Sequence, residues 1–133
     1  MTTTAQRILL IEPDQLLGQL YAQRLSRGGY KVRLCSQAQQ AVDLIDKQRP
    51  DLIILELQLA DHSGVEFIYE CRSYPEWQTI PIVIHTLVPP NVFSINDLQM
   101  KNLGIVQYLY KPSTSLLKLN QVVGTVLRQI NVT

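Results

Sequence analysis

The chain lacks any apolar run approaching the roughly 20 residues that a membrane-crossing helix needs. Its start, Met-Thr-Thr-Thr-Ala-Gln-Arg, has one basic residue and no apolar segment behind it. Neither a membrane span nor a secretory signal is expected, and the reading is cytoplasmic. Lysine and arginine form no run: twelve basic against eleven acidic side chains leave a net charge of +1. No cationic stripe is available to track a nucleic-acid backbone, so nucleic acid is not an expected partner. Only two cysteines occur, Cys35 and Cys71, without CxxC spacing or a neighbouring histidine. That excludes a zinc or redox motif and leaves two buried thiols as the expectation. Neither GxxxxGK nor GxGxxG is present, so nucleotide binding has no support. His62 and His85 have no partner at metal spacing.

What the sequence does have is an end-to-end alternation of strands and helices. Arg7 to Ile11 reads as a first strand, and Leu16, Leu17, Leu20, Tyr21 and Leu25 follow at helical spacing until Gly28-Gly29, with Asp14 as the N-cap. Tyr30 to Cys35 alternates, Val32 and Leu34 against Lys31 and Arg33, as an edge strand with one wetter face does. Ser36 is expected to cap a second helix with Ala38, Ala41, Val42 and Ile45 inward, ended before Pro50. Leu52 to Leu55 is apolar without alternation, the mark of a strand covered on both faces. A loop from Gln58 to Gly64 precedes a third helix carrying Val65, Phe67, Ile68 and Cys71. Ile80 to His85 is a fourth strand. A weaker helical pattern through Val92, Ile95, Leu98 and Leu103 follows it, then a fifth strand from Ile105 to Tyr110, a turn at Lys111-Pro112-Ser113 and a last amphipathic helix. Five βα units with right-handed crossovers predict a single α/β domain over 1–133, core 7–130, with a doubly wound, flavodoxin-like (βα)5 parallel sheet in strand order 2-1-3-4-5.

In that topology the carboxyl ends of strands one, three, four and five surround one crevice, which gathers Glu12, Pro13, Asp14, Glu56, Thr86 and Lys111. The segments Ile-Leu-Leu-Ile-Glu-Pro-Asp14, Pro50-Asp-Leu-Ile-Ile-Leu-Glu56, Asp61-His-Ser-Gly64, Ile80-Pro-Ile-Val-Ile-His-Thr86 and Tyr108-Leu-Tyr-Lys-Pro112 stand in order along the chain. In these segments the chain resembles the receiver domains of two-component response regulators over essentially all of residues 7–130. The resemblance implies an acidic pair after strand one holding Mg²⁺ and a phosphoacceptor Asp ending strand three. It also implies a Thr and a Lys that contact the phosphoryl group, here Thr86 and Lys111, and an aromatic switch residue, here Tyr108. A carboxylate accepts a phosphoryl group when a metal and a lysine neutralise the charge gathering on the transferred oxygens.

Two departures bear on that chemistry. Glu56 stands at the acceptor position, one methylene longer than Asp, which compromises in-line transfer. Pro13 stands in the acidic pair and offers no oxygen, so Glu12 is left as a lone metal ligand and any Mg²⁺ site is weak or absent. Asp14 is expected to cap the first helix, Asp61 to serve a turn, Gly64 to serve the loop-to-helix geometry, and Lys111 to pair with Glu56. The expectation is a non-enzymatic, pseudo-receiver signalling module working through protein contacts. By resemblance, its partner would be a histidine kinase or downstream effector, met through the fourth helix, fifth strand and fifth helix. Its cofactor state would be none or weakly bound Mg²⁺. The alternatives are residual Mg²⁺-dependent phosphorylation of another carboxylate such as Asp61 or Asp14, and an unrelated flavodoxin-like binding protein.

Overall fold

The computed structural model describes residues 4–130. A parallel five-stranded sheet is ordered β2-β1-β3-β4-β5, where β1 is Arg7–Ile11, β2 Lys31–Cys35, β3 Leu52–Leu55, β4 Ile82–Thr86 and β5 Ile105–Tyr110. The unbroken apolar run of β3 lies at the centre, every residue buried. The alternating strand β2 lies at an edge, as its pattern requires. The connecting helices are α1 (Gln15–Arg27), α2 (Ala38–Lys47), α3 (Gly64–Ser73), α4 (Asp97–Asn102) and α5 (Leu116–Ile130).

Strand side chains alternate between faces, so the sheet builds two cores. Leu9, Ile11, Ile53, Leu55, Ile82 and Ile84 face α2 and α3 with Ile45, Phe67 and Ile68. Ile8, Leu10, Leu52, Ile54 and Val83 face α1 and α5 with Leu25, Leu119, Val123 and Leu127. Between β4 and β5 the register slips: Ile82 pairs with Ile105 but Val83 with Gln107, which leaves Val106 as an extra residue. That bulge resets the alternation, so Ile105 and Tyr108, three apart, both face the α3 side.

Local chemistry differs from the sequence expectation in two places. Ser36 does not cap α2. The N-cap is Gln37, without a side-chain bond, and the carboxylate of Asp61 accepts from the N–H groups of Ala38 and Gln39 at 3.0 Å each. An anion reaching the positive end of a helix from another loop does the work of a local cap. The fourth helix is shorter than its apolar pattern. Asn96 and Gln99 form a reciprocal capping box that starts it at Asp97, so Val92 and Ile95 lie in the preceding loop.

One cation braces the α3 side of the sheet at the end where β4 and β5 begin. Arg72 donates to the carbonyls of Leu103 at 2.7 Å, Trp77 at 2.7 Å and Ile80 at 2.6 Å. It thereby ties the end of α3 to the segments entering β4 and β5. Truncation would leave three carbonyls without their charged donor, each such bond being worth about 1.5–3 kcal/mol. Arg72→Ala is expected to cost about 3 kcal/mol or more. Arg72→Lys should recover only part, because an ammonium does not present the guanidinium's planar fork of donors. Urea titration of the two variants checks this.

Candidate functional site

The carboxyl ends of β1, β3, β4 and β5 deliver Glu12, Glu56, Thr86 and Lys111 to one point. Backbone position explains each: Glu12 follows Ile11, Glu56 follows Leu55, Thr86 ends β4, and Lys111 follows Tyr110. All three acids and hydroxyls are buried, Glu12 at 3%, Glu56 at 2% and Thr86 at 0% exposure. Lys111 Nζ lies between the two carboxylates, 2.5 Å from Glu12 Oε1 and 2.7 Å from Glu56 Oε1.

Glu56 is held on every side. Its Oε1 takes Lys111 and the N–H of Leu87 at 3.2 Å. Its Oε2 takes the hydroxyl of Thr86 and the N–H of Gln58 at 3.2 Å. Burial pushes its carboxyl up, but the bonds from Lys111 and Thr86 and the lysine's charge outweigh this, and the group lies below the usual carboxylate range. For Lys111, burial alone would lower the ammonium, yet the bonds to Glu12 and Glu56 raise it above its ordinary value. The pair therefore stabilises the fold between these limits. Glu56's contribution is present above the unfolded carboxyl value and is lost as pH falls through its depressed folded value; Lys111's is lost only as pH rises through its raised one.

A path of hydrogen bonds leads outward from this carboxylate. The Thr86 hydroxyl donates to Glu56 and accepts from the N–H of Val88 at 3.1 Å. The Val88 carbonyl in turn accepts from the Tyr108 hydroxyl at 2.7 Å. The Tyr108 ring is half-buried and lies 5.3 Å from that of Phe93. Burial, then the charge of Glu56, pushes its phenol up to about 12, so it remains a donor at all ordinary pH.

The remaining predicted residues are placed as follows. Asp14 caps α1 by accepting from the N–H of Leu17 at 3.0 Å. Pro13 presents no oxygen, and Asp61 is occupied at the start of α2. His62 sits on the surface 3.4 Å from Glu66. Gly64 is required by close approach, because a Cβ there would stand 2.6 Å from the Cα of Leu57, the residue after Glu56.

Mg²⁺ asks for several hard oxygens in octahedral array. Glu12 spends one oxygen on Lys111 and the other on the N–H of Asp14 at 3.0 Å. Among the described residues no group of three or more His, Cys, Asp or Glu is placed to hold a metal. The donor set does not fit the ion.

Residues 8–123 match the response regulator receiver domain family. The chain belongs to that family. It is 32% identical over 106 residues to the transcriptional regulatory protein BaeR of Escherichia coli, covering 80% of this chain and 42% of that one. It is 31% identical over 116 residues to the alginate biosynthesis transcriptional regulatory protein AlgB of Pseudomonas aeruginosa, covering 84% of this chain and 24% of that one. The receiver thus spans less than half the length of either relative. The BeF3-activated N-terminal receiver domain of Klebsiella pneumoniae RstA superposes with a TM-score of 0.79 at 26% identity, covering 92% of this chain and 99% of that one. Receivers of this family are signalling modules of two-component systems, which meet histidine kinases and effectors. No helix among the described residues of this receiver is long and apolar enough to cross a membrane.

Sequence reasoning missed three participants in the receiver's site. The N–H groups of Gln58 and Leu87 carry no side-chain signal. The third is His85, which precedes Thr86 on β4, is 3% exposed, packs edge-on to Tyr21 at 5.0 Å and has no partner for Nδ1. Burial, then the charge of Lys111, pushes its imidazole down to about 4. The unfolded chain protonates it near pH 6.5 and the folded one does not, so stability falls with pH through this window. Between pH 7 and pH 5 the loss from His85 is about 2 kcal/mol, before Glu56 begins to titrate. His85→Leu should abolish that part of the pH dependence, as urea midpoints at the two pH values would show.

Proposed function

We propose that this receiver works without phosphotransfer at residue 56, as a pseudo-receiver whose carboxylate permanently holds the switch residues that a phosphoryl group would otherwise engage. One observation carries the reading: all four bonds of Glu56 go to Lys111, Thr86 and the backbone N–H groups of Gln58 and Leu87. In the family resemblance, Thr86 and Lys111 are the residues that contact phosphate. With both oxygens taken and Lys111 shared with Glu12, no nucleophilic oxygen is presented and no metal helps a leaving group depart. Glu12 acts as the second counter-ion of Lys111 in place of a metal ligand, and Mg²⁺ is not bound.

The Glu56 to Tyr108 path supplies the means of action. It holds Thr86 inward and Tyr108 pinned to Val88, so the surface of α4, β5 and α5 is kept in one arrangement. That surface exposes apolar side chains, Leu98 at 67% and Val106 at 45%, suited to a protein partner such as a histidine kinase or an effector. Asp61 and Asp14 are poor substitute acceptors, since their oxygens cap α2 and α1.

Two experiments test the reading. With Mg²⁺ and a small-molecule phosphodonor, intact-mass measurement should find the natural protein unmodified and the Pro13→Asp, Glu56→Asp double variant phosphorylated. Phosphate on the natural protein would sink the proposal. Glu56→Gln keeps the shape but removes the charge, and is expected to cost about 1–3 kcal/mol. It should also shift the Tyr108 ring resonances as the hold on Thr86 slackens. An unchanged Tyr108 would mean that the site is inert and holds nothing.

A further inference from the structure

Strand alternation has a second consequence, at the opposite end of the sheet. In parallel strands, paired residues share a face, and the register pairs Arg7 with Lys31 and Leu9 with Arg33. The three cations therefore project on the α2 side, as Leu9, Ile11 and Cys35 do further along. Helix α2 covers only the upper part of this face. Its small residues Ala38 and Ala41 let it approach closely there, and it stops at Lys47. Below that stop a cavity of about 210 Å³ remains, floored by Leu9, Leu44 and Pro50 and rimmed by Arg7, Lys31 and Arg33. Gln48 adds a polar side chain to the rim, and no acidic residue lines it. None of the three cations forms an ion pair among the described residues.

Three unpaired cations around an apolar floor, in a chain whose net charge is +1, leave a concentration of positive charge that complements an anion. We propose that this cavity binds a compact amphipathic carboxylate. Its apolar body lies on Leu9, Leu44 and Pro50, and its carboxylate is received by the forks of Arg7 and Arg33 and the ammonium of Lys31. Arginine presents paired donors that match a carboxylate's two oxygens. The volume lies below the roughly 300–1,000 Å³ of drug-sized sites, which selects a small ligand. The site is made by residues outside the Glu56 cluster and does not depend on how that cluster works.

The full chain, labelled with ¹⁵N, is titrated with octanoate, with acetate (the head without the body) and with octylammonium (the same body with the opposite charge). Saturable amide shifts are expected for octanoate alone, confined to residues 7–9, 31–33 and 44–50. Lys31→Glu with Arg33→Glu, both on exposed positions of the edge strand, should weaken octanoate at least about tenfold, as reversal of two contacting charges does. An otherwise unchanged spectrum would certify that this variant is folded. Equal binding of octylammonium, equal binding of acetate, no saturable octanoate binding, or an undiminished affinity in the charge-reversed variant would each overturn the proposal.

Discussion

The ammonium of Lys111 between the carboxylates of Glu12 and Glu56 is the constraint on which the upper end of this molecule depends. Two buried carboxylates and one lysine leave an excess negative charge. A buried ion pair is stabilising only when further hydrogen bonds satisfy the remaining lone pairs. Here they do: the N–H of Asp14 serves Glu12, while Thr86 and the N–H groups of Gln58 and Leu87 serve Glu56. These donors sit at the ends of β1, β3 and β4 or on the loops that follow them, and Lys111 follows β5. Satisfying the two buried carboxylates and fixing the relative position of four loops are thus one requirement.

Pro13 and Glu56 both bear on that requirement. Proline at position 13 offers no side-chain oxygen, and the carboxylate of Glu56 meets Lys111 and Thr86 at once. The lysine then supplies the positive charge from within the chain. A transferred phosphoryl group brings nearly two negative charges against one for a carboxylate, so under the proposed reading the hold of Glu56 on Thr86 is the weaker of the two.

Much of this was legible in the residues themselves. The uninterrupted apolar run of β3 and the alternation of β2 placed one strand at the centre and the other at an edge, because burial on two faces and on one leave different patterns. The meeting of Glu12, Glu56, Thr86 and Lys111 followed from topology once the βα alternation was read. The capping of α2 by Asp61 was not legible, since Ser36 is the nearer candidate and propensity sees only neighbours in sequence. The length of α4 was misjudged for a related reason. The apolar residues before Asn96 keep helical spacing, but a capping box sets where the helix starts.

Sequence alone determined the fold class, the order of the elements and which side chains stand at strand ends, because periodicity and strand-end position are properties of a linear pattern. Tertiary structure decided which oxygen meets which donor. It showed that Glu12 turns to Lys111, that Val88 links Thr86 to Tyr108, and that an extra residue at Val106 puts Tyr108 on the face where that link is possible. It also gathered Arg7, Lys31 and Arg33, which form no run in the chain, onto one face of two paired strands. The physical reason is common to all of these. Charge and hydrogen bonding act over a few ångströms in space, and separation along the chain does not measure that distance.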